Sequence, residues 1–185
     1  MTDAQQGGAE SAKRVAVLGL GNVLQGDDAL GPYMAELLSA KYEFPDGVSV
    51  LDAGTPGLDL IPYIAGVDAL VVIDAVRAAG SPGELRAYRR AELLEKPPPQ
   101  RLSPHDPGLR ECLLALELIG QSPAEVLLVG LITGRVETAI GLSAPVYAGL
   151  PAVESAVLAE LARLGLPARP KASPGEPNLW WEGQP

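Results

Sequence analysis

The chain has 185 residues and a formal net charge of −9, and hydrophobic residues make up 47% of it. That is one domain's length with ample material for a core. The acidic balance argues against nucleic acid as a partner, because phosphate backbones repel it. No apolar run approaches the roughly 20 residues a bilayer span needs, so membrane insertion is not expected.

The N-terminal residues 1–13 (MTDAQQGGAESAK) are polar and have little to bury, which predicts a disordered tail. They lack the apolar stretch of a secretory signal. A single cysteine, Cys112, cannot form an intramolecular disulfide, and it sits in the apolar run ECLLALELIG as a buried thiol would. These features point to a cytoplasmic protein.

Residues 14–167 carry the pattern of a single catalytic domain. Residues 14–19 (RVAVLG), 48–52 (VSVLD), 69–74 (ALVVID) and 126–132 (VLLVGLI) are short, apolar and rich in β-branched residues, as buried strands are. Runs that are apolar throughout imply a sheet covered on both faces. Between them lie helical patterns. Residues 28–42 place Leu30, Met34, Leu37 and Leu38 on one stripe, and residues 109–119 and 146–164 show similar spacing. Residues 83–90 (GELRAYRR) alternate imperfectly and suit an edge strand, where charge discourages unwanted pairing. The expectation is an α/β three-layer sandwich, with a mostly parallel, twisted sheet of about five strands and helices on both faces.

Residues 96–107 (KPPPQRLSPHDP) interrupt this pattern with three consecutive prolines and two further X-Pro steps, which forbid helix and sheet interior and predict a surface loop. Residues 168–185 are rich in proline and polar residues and read as a flexible C-terminal tail, in which Trp180 and Trp181 are unusual.

Ligands in open α/β sheets bind beyond the carboxyl ends of the strands. The first strand ends in Gly19-Leu-Gly21-Asn22, the second in Asp52, the third in Asp74. Asp27 and Asp28 stand where the first helix begins. Asp27 fits an N-cap, leaving Asp28 in the first turn. His105 is the sole histidine, held between Pro104 and Pro107. Asp28, Asp74 and His105 would suit a borderline divalent ion such as zinc or nickel, or general acid–base work; spacing does not choose between them. Gly19-Leu-Gly21 also resembles the start of a dinucleotide fingerprint, but Leu24 stands where the third glycine is required.

The stretch VLGLGNVLQGDDALG (residues 17–31) resembles the signature of the hydrogenase maturation proteases. LDAGTPG (51–57), VVIDAV (71–76), LSPHDPGL (102–109) and GLITGRVETAIGLSAPV (130–146) follow in that family's order. The resemblance spans roughly residues 15–164 and implies a specific activity. It implies an endopeptidase that removes the C-terminal extension of a nickel–iron hydrogenase large-subunit precursor once nickel is inserted. It places the family's nickel-contacting and catalytic groups on Asp28, Asp74 and His105, and a supporting acid on Asp52. Gly19, Gly21 and Asn22 fall on the turn that shapes the cleft wall. The implied nickel is brought by the substrate and is not permanently bound. A monomer is expected. Asp74, at the end of a buried strand, is the favoured general base. Other readings remain: a metal-sensing or chaperone-like docking module that does not cut, a nucleotide-binding α/β protein, and a stand-alone zinc peptidase. The last lacks H-E-x-x-H, and one histidine is few for a catalytic zinc.

Overall fold

The structure is a computed structural model and describes residues 13–95 and 108–183. The expected His105 loop lies outside the described residues, as do residues 1–12 of the N-terminal tail. Five strands form the main sheet: β1 (Val15–Leu20), β3 (Val48–Gly54), β4 (Ala69–Val76), β5 (Leu85–Arg89) and β6 (Glu125–Ile132). Their spatial order is β3-β1-β4-β6-β5. All neighbours run parallel except β5, which pairs antiparallel with β6 at the edge.

Burial explains the assignment. β1 and β4 are buried at every position, which is why β1 and the first five residues of β4 read as unbroken apolar runs. β3 alternates partly buried with exposed residues over its first four positions, because it is the other edge. On one face, α1 (Leu30–Lys41) and α5 (Ala144–Arg163) bury Met34, Leu38, Val153 and Val157 against Val17, Val71 and Val129. On the other, α2 (Ile61–Ile64), α3 (Arg90–Glu95) and α4 (Leu109–Leu118) cover Leu18, Val72 and Leu128 with Ile64, Leu93 and Leu113. The two layers make the expected sandwich. Cys112 is fully buried, its thiol directed to the Gly57 carbonyl at 3.6 Å.

The first helical segment starts differently from expectation. Residues 26–29 are 3-10 helix, and the α-helix begins at Leu30. Asp27 is not the N-cap; that position is Gln25 for the 3-10 segment and Ala29 for α1, and neither makes a side-chain cap hydrogen bond. The C-terminal residues also differ. Where a flexible tail is expected from residue 168, the chain is laid along α1. β7 (Arg169–Pro170) pairs antiparallel with β2 (Tyr42–Glu43), and the amides of Lys171 and Gly175 donate to the carbonyls of Lys41 and Ala40. Trp181 is 4% exposed within the α1–α5 core, whereas Trp180 is 68% exposed. A large apolar ring that joins the core cluster on this face of the sheet outweighs the local polar composition.

An ion cluster closes the far end of the sheet. Glu160 on α5 is 4% exposed and accepts bidentate hydrogen bonds from Arg89 (2.6 and 2.8 Å) and from Arg163 (2.8 and 3.0 Å). Arg163 also pairs with Glu125. Burial pushes the Glu160 carboxyl up, but the hydrogen bonds from Arg163 and Arg89 outweigh it and hold the group down at about 2.

Candidate active site

From β1 the chain passes to β3 on one side of β1, then returns to β4 on the other side. The crevice beyond the carboxyl ends of β1 and β4 is therefore the switch point of the sheet, where α/β folds bind ligands. Gly19 of β1 pairs with Asp52 of β3 and with Ile73 of β4. Three sequence-predicted acids are thus drawn to one end of the sheet. Asp52 lies two residues before the end of β3, Asp74 follows Ile73 in β4, and Asp28 lies in the 3-10 turn after β1.

Asp28 is partly buried, and its Oδ2 accepts the backbone N–H of Asn22 at 2.8 Å. The Asn22 side chain in turn accepts the Leu24 amide at 3.0 Å. Asp74 is 6% exposed and lies in register with Gly130 of β6. Asp52 is exposed and folded back on its own turn, its Oδ1 accepting the Gly54 amide at 2.9 Å.

The glycines explain how the backbone gets this close. A Cβ on Gly21, whose φ is +138°, would lie 1.8 Å from the Asp28 carbonyl oxygen. A Cβ on Gly19 would lie 2.1 Å from the Gly31 carbonyl oxygen, and one on Gly31 would meet the backbone of both Leu20 and Ile73. Gly130 works the same way for the second acid: its Cβ would stand 1.9 Å from the Asp74 carbonyl oxygen. Gly19-x-Gly21 therefore seats the Asp28 turn on β1. The space that a pyrophosphate would need beside Gly21 holds the chain's own backbone, which removes the dinucleotide reading. Gly31 and Gly130 were not legible as site residues; their only signal is glycine within an otherwise apolar helix start and strand.

His105 lies outside the described residues, so its position relative to Asp28 and Asp74 is not part of the geometry. Among the described residues no three histidine, cysteine, aspartate or glutamate side chains gather as a metal site. Two carboxylates at one crevice can polarise or deprotonate a water or bear on a cation, but two alone are a thin shell for a tightly held metal.

Comparison with known proteins gives this arrangement its context. Residues 32–160 match the family model described as hydrogenase maturation protease (HycI). The chain belongs to the hydrogenase maturation protease family. It is 39% identical over 160 residues to the hydrogenase 2 maturation protease of Escherichia coli K12, covering 85% of this chain and 96% of that protein. It is 36% identical over 167 residues to the hydrogenase expression/formation protein HupM of Azotobacter chroococcum, covering 90% and 80%. Among solved structures, the hydrogenase maturating endopeptidase HybD from E. coli superposes with a TM-score of 0.79 at 37% identity, over 86% of this chain and 98% of that one. This maturation protease is accordingly a hydrolase acting on peptide bonds. Among the described residues no helix is long and apolar enough to cross a membrane.

Proposed function

We propose that this protease removes the C-terminal extension of a nickel–iron hydrogenase large-subunit precursor after nickel has been inserted, and that it acts in the cytoplasm. In this reading Asp28, Asp74 and His105 contact the nickel already seated in the precursor. The metal belongs to the substrate, and its presence signals that the precursor is ready.

The observation that carries the reading is the placement of Asp28 and Asp74 at the switch-point crevice. Each is held by a backbone approach that only glycine allows. Carboxylate oxygens are acceptable ligands for a borderline divalent ion, and a histidine nitrogen would complete a mixed set. Three such groups, two of them carboxylates, would suit a transient encounter with a metal that keeps its own ligands. Asp74, almost entirely buried, is the proposed general base: a carboxylate with little water of its own can take a proton from the water that attacks the scissile carbonyl. Asp28, better exposed, is the proposed nickel-facing acid.

The docking-module alternative differs in one respect: it binds the precursor without cutting. Wild-type protein, which releases the C-terminal peptide under the protease reading and not under the docking one, separates the two when compared with an Asp74→Asn variant. Under the protease reading the variant still associates with nickel-loaded precursor in a pull-down but releases no C-terminal peptide; undiminished cleavage would remove Asp74 from the mechanism.

A further inference from the structure

Asp27, the immediate neighbour of Asp28, has no exposed surface, yet it is neither a cap nor a member of the proposed metal-facing set. Its Oδ2 accepts the backbone amides of Gly134 (2.7 Å) and Arg135 (2.6 Å) and the hydroxyl of Ser143 (2.9 Å). Its Oδ1 accepts the backbone amide of Ser143 at 2.6 Å. The main chain is fastened as well. The Asp27 amide donates to the Arg135 carbonyl at 2.9 Å, the Gly26 amide to the Ala139 carbonyl at 2.8 Å, and the Ala139 amide to the Leu24 carbonyl at 3.1 Å. One buried carboxylate thus grips both ends of the segment 134–143, the second of which, Ser143, is the N-cap residue of α5.

We infer that Asp27 is a positioning residue, which sets the direction of the Asp28 carboxylate by clamping the turn that carries it to the segment 134–143. The inference rests on the proposed role of Asp28. Residues 26–29 form a single turn of 3-10 helix, so the backbone of Asp27 cannot shift without carrying Asp28 along. The Asn22 amide bonded to Asp28 Oδ2 registers that movement.

The chemistry demands an aspartate. Three of the four groups facing it are main-chain N–H groups, which only donate. An asparagine amide would set an NH2 against a donor in either orientation: against Gly134 and Arg135, or against Ser143. A glutamate would overfill a site with no exposed surface. The bonds at 2.6–2.7 Å have the length of charge-assisted hydrogen bonds, about twice as strong as neutral ones. A merely structural clamp would lower stability when broken. A positioning clamp also moves Asp28 in protein that remains folded.

The test is a pair of variants read by amide NMR on the full chain without substrate. In the wild type, the Gly134, Arg135 and Ser143 amide protons are expected well downfield. In Asp27→Asn they move upfield, and the Asn22 amide, which has no bond to Asp27, shifts with them. Ser143→Ala removes only the hydroxyl bond and gives smaller shifts in the Gly134, Arg135 and Asn22 amides; it carries the test should Asp27→Asn not fold. An Asn22 amide that stays in place while the clamp amides move, or while Ser143→Ala leaves all of them unmoved, overturns the inference. Turnover of nickel-loaded precursor by Asp27→Asn should fall at least tenfold, at a temperature where its spectrum shows it folded, with KM changed less than kcat. A wild type that cuts no precursor would sink the proposed function and leave the NMR result standing.

Discussion

The carbonyl oxygen of Asp28 fills the space where a side chain on Gly21 would begin, 1.8 Å from the ideal Cβ position. Gly21 is also at φ +138°, a region L side chains rarely enter. Both constraints act at one residue, and both serve to bring the Asp28 turn onto the end of β1.

Gly21→Ala is therefore expected to destabilise the protein by roughly 2–4 kcal/mol, since neither the backbone of residue 28 nor that of residue 21 can yield cheaply. Urea unfolding measures this. Activity should fall further than the unfolded fraction explains, because the methyl group displaces Asp28 itself. A variant of wild-type stability would show that the close approach is not needed.

Asp28→Asn keeps the size of the side chain and the Asn22 bond while removing charge. Loss of a nickel-facing carboxylate should lower the rate of precursor cleavage by about 100-fold or more, since removing even a group that only supports a metal ligand typically costs about 10–100-fold. Thermal unfolding should change little. Rates within a few-fold of wild type would remove Asp28 from the site.

The Glu160 cluster predicts an acid-sensitive stability. The folded carboxyl titrates at about 2 against an ordinary value of 4.5, so the folded state favours the ionised form. Its contribution is complete above about pH 4.5 and is lost as the pH falls toward 2. Arg89 and Arg163 are about half exposed, which screens the pair and leaves about 2 kcal/mol. Urea midpoints between pH 5 and pH 2 should fall more steeply for the wild type than for Glu160→Gln. Parallel curves would contradict the assignment.

Trp181 is buried with an indole N–H that has no hydrogen-bond partner among the described residues. Trp181→Ala should cost about 3 kcal/mol, the usual loss for a large buried aromatic residue. Trp181→Phe removes the unpartnered donor and keeps most of the apolar surface, so it should cost less than about 1.5 kcal/mol. Equal losses would mean that the polar end of the ring carries the docking.

Where side-chain pattern decides the structure, the sequence was readable. β1, β4 and β6 are apolar apart from Asp74 and Glu125 because helices cover them on both faces, and β5 is charged because it is an edge. Asp28, Asp52 and Asp74 stood out because each closes or follows an apolar strand, and the sheet does collect them at one end. Long-range geometry was not readable. Nothing in GDDALG distinguishes a capping aspartate from one that grips residues 107 to 116 positions away. The role of Gly130 depends on its register with Asp74, which only strand pairing fixes. The tail reads as polar and proline-rich because a single ring, Trp181, does the burying.

The most direct test of the central claim is cleavage of one precursor in two metal states. Purified protein is mixed with nickel-loaded and nickel-free hydrogenase large-subunit precursor, and the products are weighed by mass spectrometry. The account predicts a single C-terminal shortening in the nickel-loaded sample alone. Equal shortening of both would contradict the nickel-reading role of Asp28, Asp74 and His105, and shortening of neither would contradict the proposed cleavage itself.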